Sequence, residues 1–145
     1  MGISKEKEIV RSVTVDRSRQ LSGAVAATRS RLYLTESRVF VPPVQRSGEK
    51  VDVILFQPDL DQYRGVWAEY KKRNLLPADI LEIAAVNEDS TVSITYPNRT
   101  FWRCPMGELW HASFFAGWED QRFVRISCYG CTITCKQWLA GVSEC

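Results

Sequence analysis

Six Phe or Trp residues stand between positions 101 and 118: Phe101, Trp102, Trp110, Phe114, Phe115 and Trp118. Two pairs of them are adjacent, and neighbouring side chains of a strand leave on opposite faces. No sheet with one dry face can bury this set. The segment demands either a two-sided core, with helices over one face and something else over the other, or a face whose aromatics line a groove.

Short strands account for most of the surrounding pattern. Thr100–Cys104, Leu109–Phe115 and Arg122–Cys128 read as strands, the first set off by a turn at Pro97-Asn98. Ile80–Val86 and Thr91–Tyr96 read the same way, separated by the turn cluster Asn87-Glu88-Asp89-Ser90. Upstream, Val51–Phe56 is predicted to pair in a hairpin with Arg38–Val44 across Arg46-Ser47-Gly48-Glu49. Ile9–Val15 alternates only imperfectly, so residues 1–17 are set apart as a flexible N-terminal arm or a weak strand.

Two helices interrupt this reading. From Ser18 to Leu34, Leu21, Val25, Thr28 and Leu32 fall in one narrow arc at helical spacing, flanked by Arg29 and Arg31. The second starts at Asp59, with Gln62 in capping-box relation, and runs through Leu60, Tyr63, Val66, Trp67 and Tyr70 on one face until Pro77 ends it. Glu69 can there reach Lys72 and Arg73. The predicted class is α+β: two helices packed on a curved, mostly antiparallel sheet or small partial barrel.

At 145 residues, 45% apolar and 25% charged, the composition suits one globular domain over residues 1–145 and argues against disorder. The net charge of +2 hides an asymmetry. Residues 1–50 hold 10 Lys and Arg against 5 Asp and Glu, and the remainder holds 9 against 12. A basic first third points to an acidic partner or to nucleic acid, though a solvated helix face accounts for it as well. No apolar run suits a membrane span or a secretory signal, and five cysteines fit a reducing compartment, so free thiols and a cytoplasmic location are expected. Asn98-Arg99-Thr100 is then a chance match to the glycosylation sequon.

Sites with chemistry are sparse. Cys128-Tyr129-Gly130-Cys131 has the spacing of half a zinc knuckle, with Cys104, Cys135 and His111 to complete it, but no second matching half. A two-residue hairpin loop at Tyr129-Gly130 explains the spacing better: it sets Ile126 opposite Ile133 and Val124 opposite Cys135, on one apolar face. No metal and no cofactor is expected. His111 is the sole histidine, and no nucleophile motif surrounds it. Phosphate-cradling glycine loops are absent.

What remains is a surface. The predicted function is a non-enzymatic binding module using aromatic and arginine side chains, with Trp102 and Trp110 as anchors, Arg103 and Arg122 as polar neighbours, and Arg29 and Arg31 on the basic helix. A protein partner or self-association is favoured over nucleic acid because the net charge is modest. A small enzyme or ligand binder with a pocket near His111, Cys104 and Trp110 is the alternative.

Overall fold

The computed structural model describes residues 8–34, 50–57, 66–103, 110–118, 121–128 and 137–143, and at several strand positions, among them Tyr33, Trp102, Arg103, residues 110–114 and Trp118, the backbone alone. In chain order the described elements are β1 (Glu8–Thr14), α1 (Leu21–Ala27), β2 (Arg31–Leu34), β3 (Lys50–Phe56), α2 (Val66–Lys72), β4 (Leu75–Pro77), α3 (Ile80–Val86), α4 (Ser90–Thr95), β5 (Asn98–Arg103), β6 (Trp110–Trp118), β7 (Gln121–Cys128) and β8 (Trp138–Ser143). All eight strands join one sheet in the order β1-β3-β8-β5-β6-β7-β2, with β4 paired beside β8. Most pairings are antiparallel; β5 with β8 and β2 with β7 are parallel. The class is α+β, as the sequence predicts. The sheet does not close into a barrel, and the described residues hold four helices where two are predicted.

The two extra helices replace two predicted strands. Asp79 caps α3 through a full capping box: its side chain accepts from the Glu82 amide at 2.8 Å, and Glu82 accepts from the Asp79 amide at 2.8 Å. Ile80, Leu81, Glu82, Ile83, Ala84 and Val86 are all buried, so α3 is enclosed on nearly every side and no polar stripe marks its period. A short apolar run of this kind looks the same as a buried strand. For α4 the deciding residue is Asp89, which accepts from the Thr91 amide at 3.0 Å. That cap and the burial of Val92 and Ser93 override the strand preference of a β-branched segment.

The first predicted helix is cut short for a local reason. Thr28 ends α1 by donating its hydroxyl to the Val25 carbonyl at 2.6 Å, and Arg29 takes the left-handed conformation, φ 58°, that closes a helix C-terminus. The chain then leaves as β2. Asn74, φ 56°, does the same between α2 and β4. In the arm, residues 8–14 form β1, paired along its whole length with β3, and Arg17 bonds the buried α3 cap. Residues 35–49 and 58–65 lie outside the described residues, and with them the predicted strand at 38–44 and the Asp59 cap. The partners of β3 that are described are β1 and β8.

The predicted cysteine hairpin needs a correction. Val124 and Ile126 are paired on one side with Phe115 and Ser113 of β6, and on the other with Leu32 and Leu34 of β2. Both edges of β7 are occupied there, so Ile133 and Cys135, themselves outside the described residues, cannot be its register partners.

The two faces of the sheet carry separate cores. One packs Val53, Leu55, Phe115, Val124, Ile126, Ala140 and Val142 under residues of α1, α3 and α4. The other is smaller: Phe56, Phe101 and Leu139 with Tyr70 of α2 and Leu75 of β4. Tyr70 meets the Phe56 ring edge-on at 5.2 Å and donates to the Ala140 carbonyl at 2.8 Å, where β4 and β5 part company along β8. Burial drives its hydroxyl pKa far above the ordinary phenol value, so it is a permanent donor. On the other face, Asn87 and Asn98 exchange amide hydrogen bonds of 2.7 and 2.9 Å, joining α3 to β5. Asn98 is fully buried, which gives the sequon a structural use in place of glycosylation.

Candidate binding face

Alternation and register together define the outer face of β2, β7, β6 and β5, the side away from α1, α3 and α4. The four strands read Arg-Leu-Tyr-Leu, Gln-Arg-Phe-Val-Arg-Ile-Ser-Cys, Trp-His-Ala-Ser-Phe-Phe-Ala-Gly-Trp and Asn-Arg-Thr-Phe-Trp-Arg. They contain five arginines and no carboxylate. Such a balance gives these four adjacent strands a net positive charge, although the whole chain is nearly neutral.

Register arranges these residues in rows. Across one row the Cα partners are Arg31 of β2, Phe123 of β7 and Ala116 of β6. Across the next they are Tyr33, Arg125, Phe114 and Arg99, an alternation of aromatic and cationic residues over four strands. Further along, Ser127, Ala112 and Phe101 share a row, and Trp110 then pairs with Arg103. Strands lie about 4.8 Å apart and successive same-face residues about 6.6 Å apart, so the rows form a close checkerboard.

Two of the cations on this face differ from Arg17, Arg19 and Arg73. Arg17 is bonded to Asp79 and Glu82, Arg19 to Asp16 and Glu88, and Arg73 to Glu69 and Glu8. Arg31 and Arg125 are exposed and have no ion-pair partner among the described residues. Arg99 is half-buried, its guanidinium 6.0 Å from the Phe101 ring centroid, at the outer range of a cation–π contact. Phe123, between Arg31 and Ala116, is also half-buried. Of the described helices, α1, α3 and α4 belong to the opposite core, and α2 packs with β3, β8 and Phe101 of β5.

The residues singled out from sequence are dispersed by this register. Arg103 and Trp110 are Cα partners, but Trp102 pairs with His111, one row away. Arg122 pairs with Gly117, seven residues along β6 from Trp110, or about 23 Å in an extended strand. It is no neighbour of either tryptophan. By alternation it shares the face of Val124 and Ile126 and lies against Gly117 near Ile94 of α4, with its Nη1 buried and unbonded among the described residues. Arg29 is exposed just before β2, two residues from Arg31, so both mark the sheet edge rather than a helix flank. Cys104, Cys131 and Cys135 lie outside the described residues. Phe123 shares a face of β7 with Arg125 and is not among the anchors expected from sequence. Their signal was available in the absence of Asp and Glu from four strands, but only if those strands were known to be adjacent.

Comparison with protein-family models, with curated proteins and with solved structures returned no match.

Proposed function

We propose that this chain is a non-enzymatic binding module whose outer β2-β7-β6-β5 face receives an anionic partner. The observation that carries the reading is the row Tyr33-Arg125-Phe114-Arg99, set in strands that contain no carboxylate. An arginine held on a sheet offers a rigid, permanently charged fork of donors, and aromatic neighbours lower the local dielectric and supply flat contact area. Elsewhere in the described chain the arginines Arg17, Arg19 and Arg73 spend their charge on internal carboxylates. Those at Arg31 and Arg125 do not, which supports a role outside the fold.

Retention on a heparin column tests the reading with a generic polyanion. The Arg31→Glu/Arg125→Glu variant should elute at markedly lower salt than the parent, while Lys71→Glu, an exposed change on α2, should elute close to it. Equal losses from the two variants, or no retention of the parent at low salt, would refute this location for the site.

A further inference from the structure

We infer that Arg122 and Ser30 form a second anion site, on the helix-covered side of the sheet, that takes a phosphate ion. β2 and β7 run parallel with Arg31 opposite Phe123. The residues just before that pair, Ser30 and Arg122, therefore stand side by side, about 4.8 Å apart, and by alternation face the side of Leu32 and Val124. Each carries a buried polar atom with no hydrogen-bond partner among the described residues, Ser30 Oγ and Arg122 Nη1. Buried orphans are rare in folded proteins, and an unbonded guanidinium nitrogen is costly because charge and donor are desolvated together. Elsewhere in the fold, Arg17 meets the same need with Asp79 and Glu82. Arg122 has no such carboxylate among the described residues; Glu119 and Asp120, in the turn before it, lie outside them.

The donor set selects the anion. Arg122 offers a planar fork of donors, which oxyanions accept two at a time. The Ser30 amide already donates to Thr28 Oγ1 at 3.2 Å, so the hydroxyl is the donor Ser30 has left to give. Arg29, exposed and one residue away, adds a second positive charge. Two cations and a hydroxyl suit a phosphate, which carries more charge and more acceptor oxygens than a carboxylate. A Cβ at Gly117 would meet both Ile94 Cγ1 and Arg122 Cγ, so Ile94 borders the arginine stem, and Ile94 is 42% exposed. The site thus opens to solvent beside α4. Arg31 and Arg125 stand on the other face of the strands, so this site and the outer face stand or fall separately.

Thermal unfolding of the intact chain, with inorganic phosphate exchanged for chloride at constant pH and ionic strength, tests the inference. The parent's melting temperature should rise by about 4 °C at about ten times the dissociation constant. Acetate should raise it far less. Arg122→Met keeps the stem against Gly117 and Ile94 but removes the fork, so the variant should fold and lose the response to phosphate. Ser30→Ala should weaken phosphate about tenfold, the loss of one hydrogen bond to a charged group, and it carries the test if Arg122→Met does not fold. Lys71→Glu, an exposed change on α2, should respond as the parent does. No shift in the parent, an equal shift with acetate, or a full shift in folded Arg122→Met or in Ser30→Ala overturns the site. So does a shift that appears only in the Glu119→Gln/Asp120→Asn variant, which would assign Arg122 to the carboxylates of its own turn.

Discussion

Arg17 pairs with the buried carboxylate of Glu82, and its removal has a calculable effect. The Glu82 side chain is 0% exposed; one of its oxygens accepts from the Asp79 amide at 2.8 Å and the other from Arg17 Nη2 at 2.9 Å. Arg17→Met keeps most of the aliphatic stem and removes the cationic partner of the buried Glu82 carboxylate. Breaking a buried pair by removing one partner costs about 3–5 kcal/mol. Two features push the value down. Arg17 is 17% exposed, so water reaches the rim of the pair, and its Nε has no partner among the described residues, an orphan that Met removes. The expected loss is therefore about 3 kcal/mol, against a total of about 5–15 kcal/mol for an ordinary domain. Urea unfolding should show the midpoint falling by about 1–2 M with the slope unchanged. In a Glu82→Gln background only the pair with the part-exposed Asp79 remains, and the same substitution should cost about 1 kcal/mol. The coupling energy of the double-mutant cycle is then about 2 kcal/mol. Additive effects, or an Arg17→Met cost below about 0.5 kcal/mol, would show that Glu82 is not held by Arg17 and refute the reasoning.

Three further outcomes follow from named contacts. The Thr91 amide, then the Thr91 hydroxyl and Arg11, hold the Asp89 carboxyl below its usual value of 3.8, so the unfolded chain takes up the proton first; Asp89→Ala should cost about 1 kcal/mol at neutral pH, and its difference from the parent in chemical denaturation should vanish as the pH falls below the carboxylate range. The buried Ser93 Oγ has no hydrogen-bond partner among the described residues, so Ser93→Ala should leave the melting temperature unchanged or raise it; a loss of about 1 kcal/mol would reveal a hidden partner. A Cβ at Gly117 would stand 2.6 Å from Ile94 Cγ1 and 2.9 Å from Arg122 Cγ, so Gly117→Ala should destabilise by about 1–3 kcal/mol, and adding Ile94→Ala should recover part of it in the same denaturation assay.

The sequence is legible where burial is one-sided and unreadable where it is complete. β6 and β7 follow from alternation because each has one helix-covered face, and the opposed pair Phe114-Phe115 announces a sheet with two functions for its faces. α3 reads as a strand in the sequence because burial of Ile80, Leu81, Glu82, Ile83 and Ala84 erases the polar side that would show a helical period. The capping-box residues Asp79 and Glu82 were present and decide the matter once the cap is considered. Leu32 fell in the same helical arc as Leu21 and Val25 because both segments face one core, although Arg29 turns the chain from helix to strand between them. The binding face was half legible. Aromatic and arginine content is visible in the string of residues; the row that joins Tyr33 to Arg99 is created by pairing between segments some 90 positions apart.

The place of β8 sets a timetable for the molecule. It follows every other described strand in chain order, yet it lies between β3 and β5 and supplies the described strand pairing between the β1-β3 pair and the β5-β6-β7-β2 group. The other described strands leave the ribosome before it. Until residues 138–143 arrive, β3 and β5 each present an unpaired edge, and Phe56 and Phe101 lack the Leu139 against which they pack. Pairing of β8 with β3 is a non-local step, of the kind that slows folding, and unpaired strand edges of this kind favour aggregation until it is made.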